Sequence, residues 1–245
     1  MNKTSGAEAI VIEGGGFNES WNASLPITTR YVDYGSFLAE GTENDHKREL
    51  AAFLANIAHE TSGGWATAPD PFLWGLFFNE EVGYENTTGE HYVDHSSAQF
   101  PPVPGRSYHG RGPIQLSWNY NYGQMSVILF QDKNVLLQNP EIVVQDGVIG
   151  FMTGLWFWLT PQPPKPSAHD VILSTWQPTP ADITAGRTQH GFGMTIMVIN
   201  GGLEGNLTEA DGRIWRRVGH YRMLIEKMGA NITGEKLDTL GMNSW

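Results

Sequence analysis

Over residues 45–61 the apolar positions Leu50, Phe53, Leu54, Ile57 and Ala58 recur at i, i+3, i+4, i+7 and i+8, the signature of one buried helix face. Gly63-Gly64 supplies the expected stop. Looser periodicity predicts further helices near residues 122–129, 146–159, 193–199 and 213–228, and a short one over 34–41. From 64 to 113 the periodicity fades and Gly, Pro, Asn and Tyr dominate. That stretch reads as long ordered loops with a short helix near 74–81, and loops of such length in a compact domain usually carry function. The turn-forming Gly110-Arg111-Gly112-Pro113 precedes a short strand-like "IQLS", and the Pro-rich "TPQPPKPSAHDVI" leads into another helix. Residues 1–33, with Gly14-Gly15-Gly16, read as a loosely structured lead-in. No repeat or linker divides the remainder, which predicts one helix-dominated domain over 34–245.

Composition narrows the chemistry. A chain of 245 residues, 40% hydrophobic and 17% charged, can bury a substantial core. Nine Trp, eight Tyr and eleven Phe offer aromatic area for that core or for stacking on sugar rings. A net charge of -11 argues against nucleic acid as a partner and, more weakly, against anionic wall polymers. Without cysteine there is no disulfide, thiolate metal site or Cys nucleophile. The longest apolar stretch, near 148–159, is too short to span a bilayer, so no membrane partner is expected. The N-terminus has one Lys and too short an apolar run for a signal peptide.

The helix over 45–61 closes on His59-Glu60, which fits solvated surface, half a metal site or half of an acid/base pair. A zincin helix needs a second His four residues on, and that position is Gly63. "GFGMTI" lacks the third glycine of a dinucleotide fingerprint, and no G-x-S-x-G elbow occurs. Carboxylates remain. Glycoside hydrolysis needs one carboxyl held protonated beside the leaving oxygen and a second, ionised one. Glu60 sits among Leu, Phe and Ile at a helix end, which suits the acid; Glu80 and Glu81, in the looped segment, suit the base.

The blocks "RELAAFLANIAHETSGGWATAPD", "WGLFFNEE", "YHGRGPIQLSWNYNYG", "LWFWLTPQPPKPSAHDVI", "GFGMTIMVINGGLEG" and "RVGHYR" occur in the order found in family 19 glycoside hydrolases, and the chain resembles the chitinase branch over residues 34–228. The resemblance implies a mostly α, lysozyme-like α+β fold: a helical domain with a small β element flanking a long cleft. It implies Glu60 as general acid, Glu81 rather than Glu80 as general base, and Ser117 as the residue holding the attacking water. Gln115, Tyr120, Asn121 and Asn200 match sugar-contacting positions, and His59 and Lys165 match substrate-proximal ones. Phe100 stands where an aromatic, usually Trp, contacts sugar. Glu204 and Arg217 match charges coupled to the catalytic pair. Trp156 and Trp158 are assigned to the core.

The chain departs from the plant pattern at Phe77, Pro102, Gly205 and Ile225, where cysteines are expected, and at Trp118, which replaces a more usual His. The implied activity is endo-hydrolysis of β-1,4-linked N-acetylglucosamine polymers with inversion, the two carboxyls standing roughly 6.5–9.5 Å apart. The implied partner is chitin or chito-oligosaccharide, bound by a monomer with no metal or organic cofactor. Secretion with the leader removed is the expected location, a cytosolic one the alternative. The rival readings are a peptidoglycan hydrolase and a non-catalytic chitin-binding protein.

Overall fold

The computed structural model describes residues 34–62 and 67–245. The expected lead-in over 1–33 and the Gly63-Gly64 stop lie outside the described residues. In chain order the helices are α1 (Glu43–Glu60), α2 (Asn119–Phe130), α3 (Asn134–Gln138), α4 (Ile142–Gln145), α5 (Gly147–Leu159), α6 (Ala168–Ile172), α7 (Pro180–Thr184), α8 (Phe192–Glu204) and α9 (Gly212–Met228).

Helix α1 forms the central strut. Thr42 caps it: its hydroxyl accepts from Asp45 N at 3.3 Å, while Asp45 Oδ2 accepts from Thr42 N at 2.9 Å. Ala51, Ala52, Phe53, Ala55 and Ile57 are buried, and the small residues let α9 pack close along α1. The helix ends at Glu60, where the capping Thr61 donates its hydroxyl to Ile57 O at 2.6 Å and turns its own carbonyl to Phe77 N and Phe78 N. Deeper in the core Glu49 is fully buried, accepting from Trp158 Nε1 at 3.0 Å, His169 Nδ1 at 2.5 Å and Leu38 N at 3.0 Å. Trp156 and Trp158 are buried, in line with their core assignment.

The periodic segments became helices, some of them longer than predicted. Helix α8 runs on from the expected end at Ile199 to Glu204, with a non-helical break at Asn200 (φ -141°, ψ 32°). Over 34–41 only a 3-10 turn, Tyr34–Ser36, forms. Residues 74–81 are not helical: Leu76 N donates to Thr61 Oγ1 and Phe77 N and Phe78 N to Thr61 O, spending those donors on the end of α1. Among the described residues the β element reduces to isolated antiparallel bridges, Glu80 with Arg111, Arg111 with Leu116, and Gln162 with Lys165. "IQLS" is too short to be more than one arm of a turn, with Gln115 at φ +53°.

Candidate active site

Glu60 closes α1 and points at helix α9. Its Oε1 accepts from Arg217 Nη2, and Arg217 is itself fully buried. The same guanidinium donates to Glu204 through Nε (2.9 Å) and Nη2 (2.8 Å), and to Asn56 Oδ1 at 3.0 Å. Asn56 Nδ2 donates to Thr195 Oγ1 at 3.0 Å, and Asn200 Nδ2 to Glu204 Oε1 at 2.8 Å. One hydrogen-bonded cluster thus ties α1, α8 and α9 together at Glu60. The break at Asn200 is part of it. The expected surroundings of Glu60 were apolar; the structure puts a buried guanidinium there instead, and the buried charge is tolerated because it faces two carboxylates and all three of its nitrogens donate to oxygen.

Glu81 is held by loops. Tyr92 OH donates to its Oε1 at 2.6 Å and Gly110 N to its Oε2 at 3.0 Å, while Glu81 N returns a bond to Gly110 O at 2.9 Å. Burial, then the neighbouring carboxylate, push the Tyr92 phenol well up, so it stays a donor. Glu80 faces the other way: its Oε1 accepts from His109 Nε2 at 2.8 Å and Arg111 Nε at 3.0 Å. Glu80 lines a separate hollow of about 350 Å³ with Glu85, Arg106 and Glu141, whereas Glu81 lines the main cleft. Adjacent residues in extended backbone point to opposite sides, and that alternation separates the two acids.

The main cleft encloses about 800 Å³. One wall comes from the ends of α5 and α8 and the turn carrying Lys165; the other from Tyr92, residues 114–118 and the start of α2. Glu60, Glu81, Ser117, Gln115, Tyr120, Asn121, Lys165 and Asn200 all line it. Ser117 Oγ donates to Gln115 O at 2.9 Å and Asn121 Nδ2 to Ser117 O at 2.9 Å, so this turn is internally braced. Lys165 Nζ donates to Val198 O at 3.1 Å, and burial pushes its amine down.

Two of the expected contacts fall elsewhere. Phe100 is 1% exposed and wedged onto α2: a Cβ on Gly123 would lie 2.3 Å from its ring. It serves the core, and no face is left for sugar. His59 does not line the cleft, because one residue along a helix turns the side chain by about 100°. Its Nδ1 is buried with no partner among the described residues, and burial, followed by the charges of Arg217 and Arg216, pushes the imidazole far down. Among the described residues no three His, Asp or Glu side chains gather as a metal site.

Comparison with known proteins gives this geometry its setting. The family model for chitinase class I, glycoside hydrolase family 19, matches residues 16–239. The chain belongs to this family. It is 48% identical over 203 residues to chitinase 10 of Oryza sativa subsp. japonica, covering 82% of this chain and 67% of that one. Against endochitinase B of Nicotiana tabacum the identity is 46% over 228 residues, 92% of this chain and 65% of the relative. The chain therefore spans about two thirds of the length of these relatives. Chitinase C of Streptomyces griseus superposes with a TM-score of 0.62 at 34% identity, covering 84% of this chain and 68% of that one. The family match begins at residue 16, inside the stretch expected to be a lead-in. The mostly helical fold is the family's, with the β element reduced as described.

Sequence reasoning missed Asn56, Tyr92 and the pair His109–Arg111. Asn56 had a signal: it sits four residues before Glu60, hence on the same helix face. Tyr92 had none, since nothing in "HYVD" marks it apart from other loop aromatics. Trp245 also lines the cleft, its Nε1 donating to Asp182 Oδ1 at 2.9 Å and its ring lying 4.4 Å from the Arg187 guanidinium. No periodicity leads to a side chain that far along the chain.

Proposed function

We propose that this chain is an inverting endochitinase, with Glu60 as general acid, Glu81 as general base and Ser117 as the water-holding partner. The observation that carries the reading is that Glu60 and Glu81, fixed by unrelated parts of the fold, line one cleft that also presents Ser117. Glu60 donates its proton to the glycosidic oxygen as the C1–O bond breaks. Glu81 takes a proton from a water attacking C1 on the opposite face, and the new hydroxyl has inverted configuration. Arg217 occupies one oxygen of Glu60 and leaves the other for the leaving group. Tyr92 and Gly110 hold Glu81 against rotation, so its remaining lone pairs stay aimed at the water.

Gln115, Tyr120, Asn121, Lys165 and Asn200 supply directional partners for sugar hydroxyls and N-acetyl groups. Glu204 and Arg217 form the supporting charge cluster. The substrate is chitin or chito-oligosaccharide. A monomer suffices, because both carboxylates and both walls come from one chain. Among the described residues no helix is long and apolar enough to cross a membrane; secretion is inferred from the insolubility of the polymer, which is met outside the cell.

The test is hydrolysis of chitin hexasaccharide with product anomers resolved by chromatography. Wild type is expected to give α-anomeric new ends, with Glu60→Gln and Glu81→Gln each slowed at least about 10³-fold. Newly formed β-anomers would sink the mechanism. Activity on peptidoglycan but not on the hexasaccharide would replace the substrate, and binding without turnover would replace the enzyme.

A further inference from the structure

Trp118 leaves 40% of its surface exposed and lines the main cleft immediately after Ser117. Its backbone is left-handed, φ +76°. For a bulky residue that conformation costs on the order of 1–3 kcal/mol and persists only where the surroundings impose it. Here Trp118 N donates to Tyr108 O at 2.9 Å, while Asn121 N and Tyr122 N donate to Trp118 O, which fixes the turn into α2. The indole lies nearly parallel to Tyr120, with ring centroids 6.2 Å apart at 14°, and meets Tyr92 edge-on at 5.6 Å and 76°. Tyr92 is the residue whose hydroxyl holds Glu81. A rigid aromatic surface therefore stands open to the cleft, one ring away from the base, while the aromatic expected to contact sugar, Phe100, is fully enclosed.

We propose that Trp118 is the aromatic platform of this cleft, stacking on the apolar face of an N-acetylglucosamine ring bound next to Glu81. The inference rests on the chitinase reading and adds a specificity residue to it. An indole offers more flat area than a phenyl ring and holds it at little conformational cost, since only two side-chain torsions have to be fixed. The underlying Tyr120 and Tyr92 keep the ring from folding away.

The test is steady-state kinetics on chitin trisaccharide and hexasaccharide for wild type, Trp118→Ala, Trp118→Phe and Trp118→Gly, the glycine being suited to the left-handed backbone. The expected result is a rise of about tenfold in hexasaccharide KM for the Ala and Gly variants, kcat within about threefold, and a smaller rise for Phe. Calorimetric binding of hexasaccharide to Glu60→Gln should weaken by a similar factor when Trp118→Ala is added. An unchanged KM and Kd in a folded Trp118→Gly overturns the inference, and so does a loss confined to kcat, which would mean that Trp118 acts through Glu81 alone. If wild type neither binds nor cleaves the hexasaccharide, the chitinase reading fails and takes this inference with it.

Discussion

Glu60 and Glu81 face the same cleft but are held by opposite means. Glu60 is locked by a buried ion cluster spanning three helices, in which Arg217 reaches Glu60, Glu204 and Asn56 at once. Glu81 is held by a phenol and a backbone amide in a region with almost no regular structure. The first arrangement depends on the core and fails with it. The second depends on a mesh of loop contacts, such as Asn119 Nδ2 to Phe100 O at 2.7 Å and Gly112 N to Asn79 O at 2.8 Å, and can lose single members without unfolding. The proposed acid and base therefore differ in how far their function can be separated from stability.

The strongest break of that contrast is Arg217→Met. It strands Glu204, 1% exposed, without its cation, and should cost about 3–5 kcal/mol in denaturant unfolding together with nearly all activity. Next comes Glu80→Ala, which leaves the buried Arg111 and His109 without their carboxylate; a loss of about 2 kcal/mol is expected. Its activity should fall far less than that of Glu81→Ala, and equal losses would undo the separation of the two acids. Tyr92→Phe removes one hydrogen bond to Glu81 and should lower kcat about tenfold, with a melting temperature within a few degrees of wild type.

The smallest effect concerns pH. Burial pushes His220, on α9, down to about 4, and His59, beside Glu60 on α1, lower still. Their unfolded values lie near about 6.5, so below that the unfolded chain binds protons that the folded one refuses. As far as these two groups are concerned, stability should be full above pH ~6.5 and decline toward pH 4, and His220→Gln should flatten the slope. His169 runs the other way: burial alone would lower it, but the bond and charge of Glu49 outweigh that and raise it. Its contribution is present below the unfolded value and fades as pH rises through the raised one. Chemical denaturation at pH 4, 5.5, 7 and 8.5 would resolve both slopes.

The same contrast explains what could be read from the sequence. Helix α1 and Glu60 were legible because a 3.6-residue period fixes direction as well as location, and it put Glu60 at the end of a buried face. The loop side offered no period. The choice between Glu80 and Glu81 had to rest on resemblance until extended backbone was seen sending one acid to each side. Phe100 shows the limit of residue type: aromatic identity tells how much area is available, not which way it faces, and Gly123 opposite it turned that area inward. The short helix expected over 74–81 failed because Thr61 claims its backbone donors, a tertiary contact that no local pattern contains.

The cluster behind Glu60 also has an uneven count. One guanidinium faces two carboxylates, so with both ionised the cluster is left with one uncompensated negative charge, and a single proton makes it neutral. In the proposed reaction Glu60 hands that proton to the leaving sugar and the interior becomes anionic in the same step. Turnover then requires Glu60 to regain a proton while Glu81 loses the one it took from water, an exchange with no net uptake. The proton spent on each bond is drawn from the whole three-residue cell, and because it exchanges with solvent, deuterium would be felt in the bond-breaking step as well as in the recharging.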